Sequence, residues 1–140
     1  MKTKNPSLTN SLLALVVLAD CVLGCANSRT TTRKVLTTEH RVAIKEALKA
    51  KNYPAPTSLE ITDGDWLVAT FQLSGGIPGG SFQGFAQDAV ITIREAMLPF
   101  HLVHAYRVTL NGPPPGTGLI RRYGSARFIE GAQVEWEAAR

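Results

Sequence analysis

The chain has 140 residues, room for one domain. With 44% hydrophobic and 19% charged residues it has globular composition, which excludes a disordered chain and one wholly embedded in a membrane. A formal charge of +4 falls far short of the dense basic stripe that nucleic-acid binding needs, so nucleic acid is not an expected partner.

At the amino terminus Lys2 and Lys4 precede the apolar run Leu12-Leu13-Ala14-Leu15-Val16-Val17-Leu18, the pattern of an export signal. Read from Ser11 to Ala26, the stretch is shorter than the roughly 20 residues of a membrane helix, and Asp20 would lie in hydrocarbon. The tetrapeptide Val22-Leu23-Gly24-Cys25 resembles the lipobox of bacterial lipoproteins, with Val22 and Leu23 standing where that family usually carries leucine and a small residue. The resemblance implies that residues 1–24 are removed, that the Cys25 thiol receives a diacylglycerol, and that the freed amine takes a further acyl chain such as palmitate. Two or more chains give stable anchoring. Ala26 stands where enterobacterial members kept at the inner membrane carry aspartate, which points to the outer membrane, facing the periplasm. Cys21 would leave with the signal, so no internal disulfide is expected. The same residues also fit two small hydrophobes on one helical face, or an uncleaved anchor.

Residues 25–35 read as a lipidated cysteine and a polar, threonine-rich tether, and 36–140 as a small α+β domain. Thr38 is the expected N-cap of a helix over 39–51 with Ile44, Ala47 and Leu48 on its apolar face, stopped by Asn52, Pro54 and Pro56. Leu59 and Ile61 alternate as a strand. Asp63-Gly64 supplies the positive-φ residues of a hairpin, and Trp66 to Leu73 return, with Trp66 read as core. The glycine-rich passage from Ser74 to Gly84 reads as a surface connection. Phe82, Phe85, Ala86, Ala89, Val90, Ile93 and Met97 recur at helical spacing and predict a helix to about Leu98, ended by Pro99. Leu102, Tyr106, Val108 and Leu110 predict a strand closed by Asn111-Gly112 and the Pro113-Pro114-Pro115-Gly116 connection. Leu119 to Ile129 predict another, with Gly124 a bulge or a weak point in it. Val134 to Glu137 could be strand, short helix or frayed end. The expected architecture is α-β-β-α-β-β: two helices on one face of a mainly antiparallel sheet of about four strands. This order, with the passage Ile61 to Gly75, is loosely similar to BON domains, which implies an envelope module associated with phospholipid.

Arg107, Arg121, Arg122 and Arg127 fall on the last two of these strands, where pairing gathers guanidinium groups on the solvent face with Tyr123 beside them, a possible anion-binding patch. His101 and His104 on a strand would point to opposite faces, which disfavours a shared metal. Asp63 and Asp65 have turn chemistry, and Ser81 and Ser125 sit in no nucleophile elbow. Trp136 is either core or an interface residue. No catalytic residue, cofactor or metal is expected. The leading expectation is a lipid-anchored, non-catalytic envelope protein binding an envelope protein or anionic lipid. The rivals are a small envelope hydrolase using Asp88 or Glu95 with a histidine, and an inhibitor or immunity-type partner of a secreted enzyme.

Overall fold

The computed structural model describes residues 33–74, 77, 80–112 and 121–140. Cys25 and its lipobox, Gly75, Gly76, Pro78 and Gly79 of the glycine-rich passage, and the proline run lie outside the described residues.

Helix α1 (Thr38–Ala50) begins one residue earlier than the sequence suggested. Thr37 is the N-cap: its hydroxyl accepts from the His40 amide at 3.4 Å, and the Thr37 amide donates to His40 Nδ1 at 3.1 Å. A histidine thus plays the reciprocal part that glutamate or glutamine usually plays. Strands β1 (Ser58–Ile61) and β2 (Trp66–Gln72) form the expected hairpin. Its left-handed residue is Asp65, at φ 56, and not Asp63 or Gly64. The loop is three residues long, closed by Thr62 N to Trp66 O at 2.9 Å and Asp65 N to Thr62 O at 2.9 Å, and a loop of that length places one left-handed residue last.

Helix α2 (Phe82–Met97) starts where the Ser81 hydroxyl accepts from the Gly84 amide at 3.0 Å. It buries Phe85, Ala86, Ala89, Val90, Ile93 and Met97 of the stripe read from the sequence, with Thr92 in addition, while Phe82 is only partly buried. A 3-10 turn (Leu98–Phe100) containing Pro99 follows, and His101 then takes the left-handed conformation at φ 49. Strands β3 (Ala105–Gly112), β4 (Arg121–Ile129) and β5 (Glu135–Ala138) complete the chain.

The sheet therefore has five strands rather than four, and the order is α-β-β-α-β-β-β. The extra one is the segment left open between strand, short helix and frayed end; Trp136 and Ala138 alternate there with Glu135 and Glu137, but four residues are too few for the period to separate a strand from the alternatives. Spatial order follows chain order, β1-β2-β3-β4-β5. All neighbours are antiparallel except β2 and β3, which run parallel because α2 carries the chain back between them.

One face of the sheet carries the core. Leu59 and Ile61, Leu67, Ala69 and Phe71, and Tyr106, Val108 and Leu110 face the helices, joined by Ile44 and Leu48 of α1 and the buried stripe of α2. Phe85 packs edge-on against Phe71 and Tyr53, with ring centroids 5.3 Å and 4.9 Å apart. All of these residues belong to the compact unit Lys34–Arg140, which carries its own core. Tyr53 and Lys51 also reach from the end of α1 to Asp88 on α2. The Tyr53 hydroxyl donates to Asp88 Oδ2 at 2.5 Å, and Lys51 Nζ lies 3.0 Å and 3.1 Å from the two carboxylate oxygens.

Candidate functional site

The helices cover one side of the sheet, so the side chains of Ala105, Arg107, Thr109 and Asn111 emerge on the other. Register aligns Glu60, Val68, Arg107, Arg127 and Glu135 in one row across all five strands of this open side. The expected cross-strand gathering of Arg107 and Arg127 is therefore present as a directly paired couple. Arg127 Nε donates to Glu135 Oε2 at 2.7 Å. Arg107 lies over the Trp66 ring at 4.9 Å from its centroid, a contact worth about 0.5–1 kcal/mol where partly exposed. Its Nε is buried without a hydrogen-bond partner. Trp66 is half-buried on this open side rather than in the core, because its register partner is Ala105.

Arg121 and Arg122 sit at the far end of β4, beyond an irregularity in the ladder. Leu110 pairs with Gly124 and Asn111 with Arg122, so Tyr123 is an extra residue on β4, the bulge expected near Gly124. The bulge resets the alternation. Arg122 joins the open side, where its Nη2 donates to the Ser125 hydroxyl at 3.2 Å. Tyr123 turns to the helix side and stacks on Phe82, with centroids 4.2 Å apart. It is therefore on the face opposite the row of Arg107 and Arg127, not beside it, and Arg121, paired with Gly112, also belongs by register to the helix side. A Cβ at Gly124 would stand 2.5 Å from the Trp136 ring, so glycine there lets the indole lie against the bulge. Trp136 packs partly buried against the core.

The four arginines thus divide into a pair in the middle of the sheet, where Glu135 meets Arg127 and the Trp66 ring meets Arg107, and a second pair at its end. There, Arg121 and Arg122 line an open groove of about 400 Å³ together with Glu137, Ala138, Ala139 and Arg140. Arg140 carries no signal in the sequence beyond its charge, and only the β4–β5 pairing brings it to Arg122. Arg121 and Arg140 have no ion-pair partner among the described residues, and Glu137 is the one acidic side chain in the lining. Three arginines and one acidic side chain in the lining favour a carboxylate or phosphate ligand.

A second, smaller concavity of about 40 Å³ lies where α2 meets β3, room for little more than one water. His101 and His104 both line it, with Arg94, Tyr106 and Glu130. Neither histidine is on a strand, so the expected divergence to opposite faces does not apply. His104 Nδ1 stands 2.5 Å from Glu130 Oε2, which would leave its other ring nitrogen outward. Tyr106 donates its hydroxyl to the Val103 carbonyl at 3.1 Å, and burial pushes its pKa up. Among the described residues no serine, threonine or cysteine lines this pocket. Asp88, one candidate acid for hydrolysis, is committed to Lys51 and Tyr53. Among the described residues no three His, Cys, Asp or Glu side chains converge to hold a metal ion, and no helix is long and apolar enough to cross a membrane. Set beside known proteins, the chain matches no family model, no curated protein and no solved structure.

Proposed function

We propose that this chain is the precursor of a lipid-anchored envelope protein, held by Cys25 at the outer membrane and facing the periplasm, whose folded unit is a non-catalytic binding module for an anionic envelope component, protein or lipid. The observation that carries the binding half is the groove between β4 and β5, where Arg121, Arg122 and Arg140 face a single Glu137. The anchoring half is supported by the short apolar segment that ends at Val22-Leu23-Gly24-Cys25. The loose similarity to BON domains supports the same setting, with β5 added to the element order that the resemblance implies.

Two measurements test the two halves. Intact-mass analysis of protein extracted from bacterial membranes is expected to show a chain beginning at an acylated Cys25; a mass retaining Met1 with an unmodified thiol refutes the anchor. The unit Lys34–Arg140, which lacks the anchor, is expected to float with phosphatidylglycerol vesicles or to be retained on envelope extract, and to lose this in the double variant Arg121→Ser/Arg140→Ser. Equal retention of wild type and variant refutes the groove. A small hydrolase is the second reading, favoured only by the His104–Glu130 pair; turnover of an envelope polymer abolished by His104→Ala would establish it instead.

A further inference from the structure

The two edges of the sheet are finished differently. On β1 the bond from Thr62 N to Trp66 O fixes the phase of the ladder, so the backbone groups of Leu59 and Ile61 point away from β2. Arg41 on α1 reaches over and donates from Nη1 to the Leu59 carbonyl at 3.1 Å, which occupies an outward acceptor and obstructs the approach of another chain. On β5 the bond from Ala139 N to Tyr123 O, at 3.0 Å, fixes the phase likewise. Trp136 and Ala138 then direct their amides and carbonyls outward, and no side chain among the described residues caps them. An edge left in that state is a template for a further strand.

The same edge runs into the arginine groove: Glu137 and Ala138 belong to both, and Ala139 and Arg140, which follow the strand, continue the lining. Backbone pairing supplies affinity without regard to sequence, and a charged pocket at the end of the ladder supplies choice. We infer that β5 accepts a sixth strand from a partner protein: an extended peptide segment that completes the backbone of Trp136 and Ala138 and places a carboxylate, from a side chain or its own C-terminus, among Arg121, Arg122 and Arg140. The inference rests on the reading of the groove as an anion site and names the partner of that site. A second copy of this chain is the poorer occupant. Antiparallel self-pairing centred on Trp136 sets Glu135 of each copy opposite Glu137 of the other, and like charges directly opposed across strands are destabilising. The incoming strand therefore carries basic or neutral residues opposite Glu135 and Glu137.

The test uses the full chain in detergent, probed against an array of extended hexapeptides made with either a free C-terminal carboxylate or an amide. Peptides with the carboxylate are expected to bind at least tenfold more tightly than their amides. Two variants are run in parallel: Arg121→Ser/Arg140→Ser removes the charges, and Ala138→Pro removes an outward amide without breaking a bond to β4. Each is expected to lower peptide binding at least tenfold while its urea midpoint stays within reach of wild type. Hydrogen exchange supplies a measurement independent of the variants: bound peptide is expected to slow the Trp136 and Ala138 amides and to leave Leu59 and Ile61 unchanged. An array with no bound peptide, or binding that survives either variant, overturns the inference. Vesicle flotation that depends on Arg121 and Arg140 beside a blank array would remove the sixth strand and leave the groove standing; loss of both would remove both.

Discussion

Gly124→Ala tests the packing at the bulge. The added Cβ would lie 2.5 Å from the Trp136 ring and 2.7 Å from the Glu137 carbonyl oxygen, against about 3.5 Å for ordinary contact. The ring can swing aside, but the carbonyl belongs to the backbone of β5, so the strand itself must move. Overpacking of this kind costs about 1–3 kcal/mol. The backbone adds to it, since Gly124 has φ 156, a value L residues rarely adopt, and an unfavourable φ costs of order 1 kcal/mol or more. Against this, alanine restricts the unfolded chain and returns about 0.4–1 kcal/mol. The expected net loss is about 2–3 kcal/mol, a large part of the ~5–15 kcal/mol that holds a domain folded. Urea unfolding of Lys34–Arg140, followed by circular dichroism, reads it as a lower midpoint at unchanged slope. Adding Trp136→Ala in the Gly124→Ala background relieves the ring contact but leaves the carbonyl, so the cycle is expected to show a favourable coupling of about 1 kcal/mol. A Gly124→Ala protein within about 0.5 kcal/mol of wild type, or a coupling of zero, would refute the account of why glycine stands there.

Other consequences can be measured on the same unit. Thr37→Ala should cost about 1 kcal/mol through loss of the capping box while Thr38→Ala costs little; equal losses would return the cap to Thr38. The link between the helices is sensitive to pH at both ends. Burial alone would raise the Asp88 pKa, but the Tyr53 hydroxyl and the Lys51 ammonium together hold it below the usual carboxylate range. Its contribution is therefore fully present above the ordinary carboxylate pKa and lost as pH falls through the depressed folded value. Tyr53 is pushed up to about 12, first by its hydrogen bond to Asp88 and then by burial and the nearby negative charge. That contribution is intact below the ordinary 10.0 and lost as pH rises through about 12. Tyr53→Phe should begin acid unfolding at higher pH and remove one late-titrating phenol from the ultraviolet absorbance curve; an unchanged acid limb would show that the bond carries no stability.

The elements with strong periodicity were legible in the sequence. The apolar stripe of α2 and the β1–β2 hairpin stand where the pattern places them, because burial of one face leaves its period in the residues. The hidden features have physical reasons. Alternation sorts a strand into two sets but does not say which set meets the helices, so Trp66 read as core although it lies on the open side under Arg107. Simple alternation would group Arg121, Tyr123, Ser125 and Arg127. The extra residue at Tyr123 breaks that grouping, putting Arg122 with Ser125 and Arg127 and turning Arg121 and Tyr123 away. The site was thus half visible: the arginines and the bulge could be read, but their sorting required the register. Arg140 entered only through the pairing of β4 with β5, a strand too short for its alternation to decide from sequence.

The parallel ladder between β2 and β3 governs how the chain can assemble. Trp66 and Ala105 become neighbours only after all of α2 has crossed the sheet between them. The β1–β2 hairpin is marginal on its own, and the β3–β4–β5 meander leaves Val108 and Leu110 bare until β2 and α2 arrive. Neither half closes without the other, so contacts distant along the chain must form before any local gain is secured, a topology that slows folding and makes unfolding all-or-none. A ribosome-bound fragment that stops before β3 accordingly has no finished core to retain.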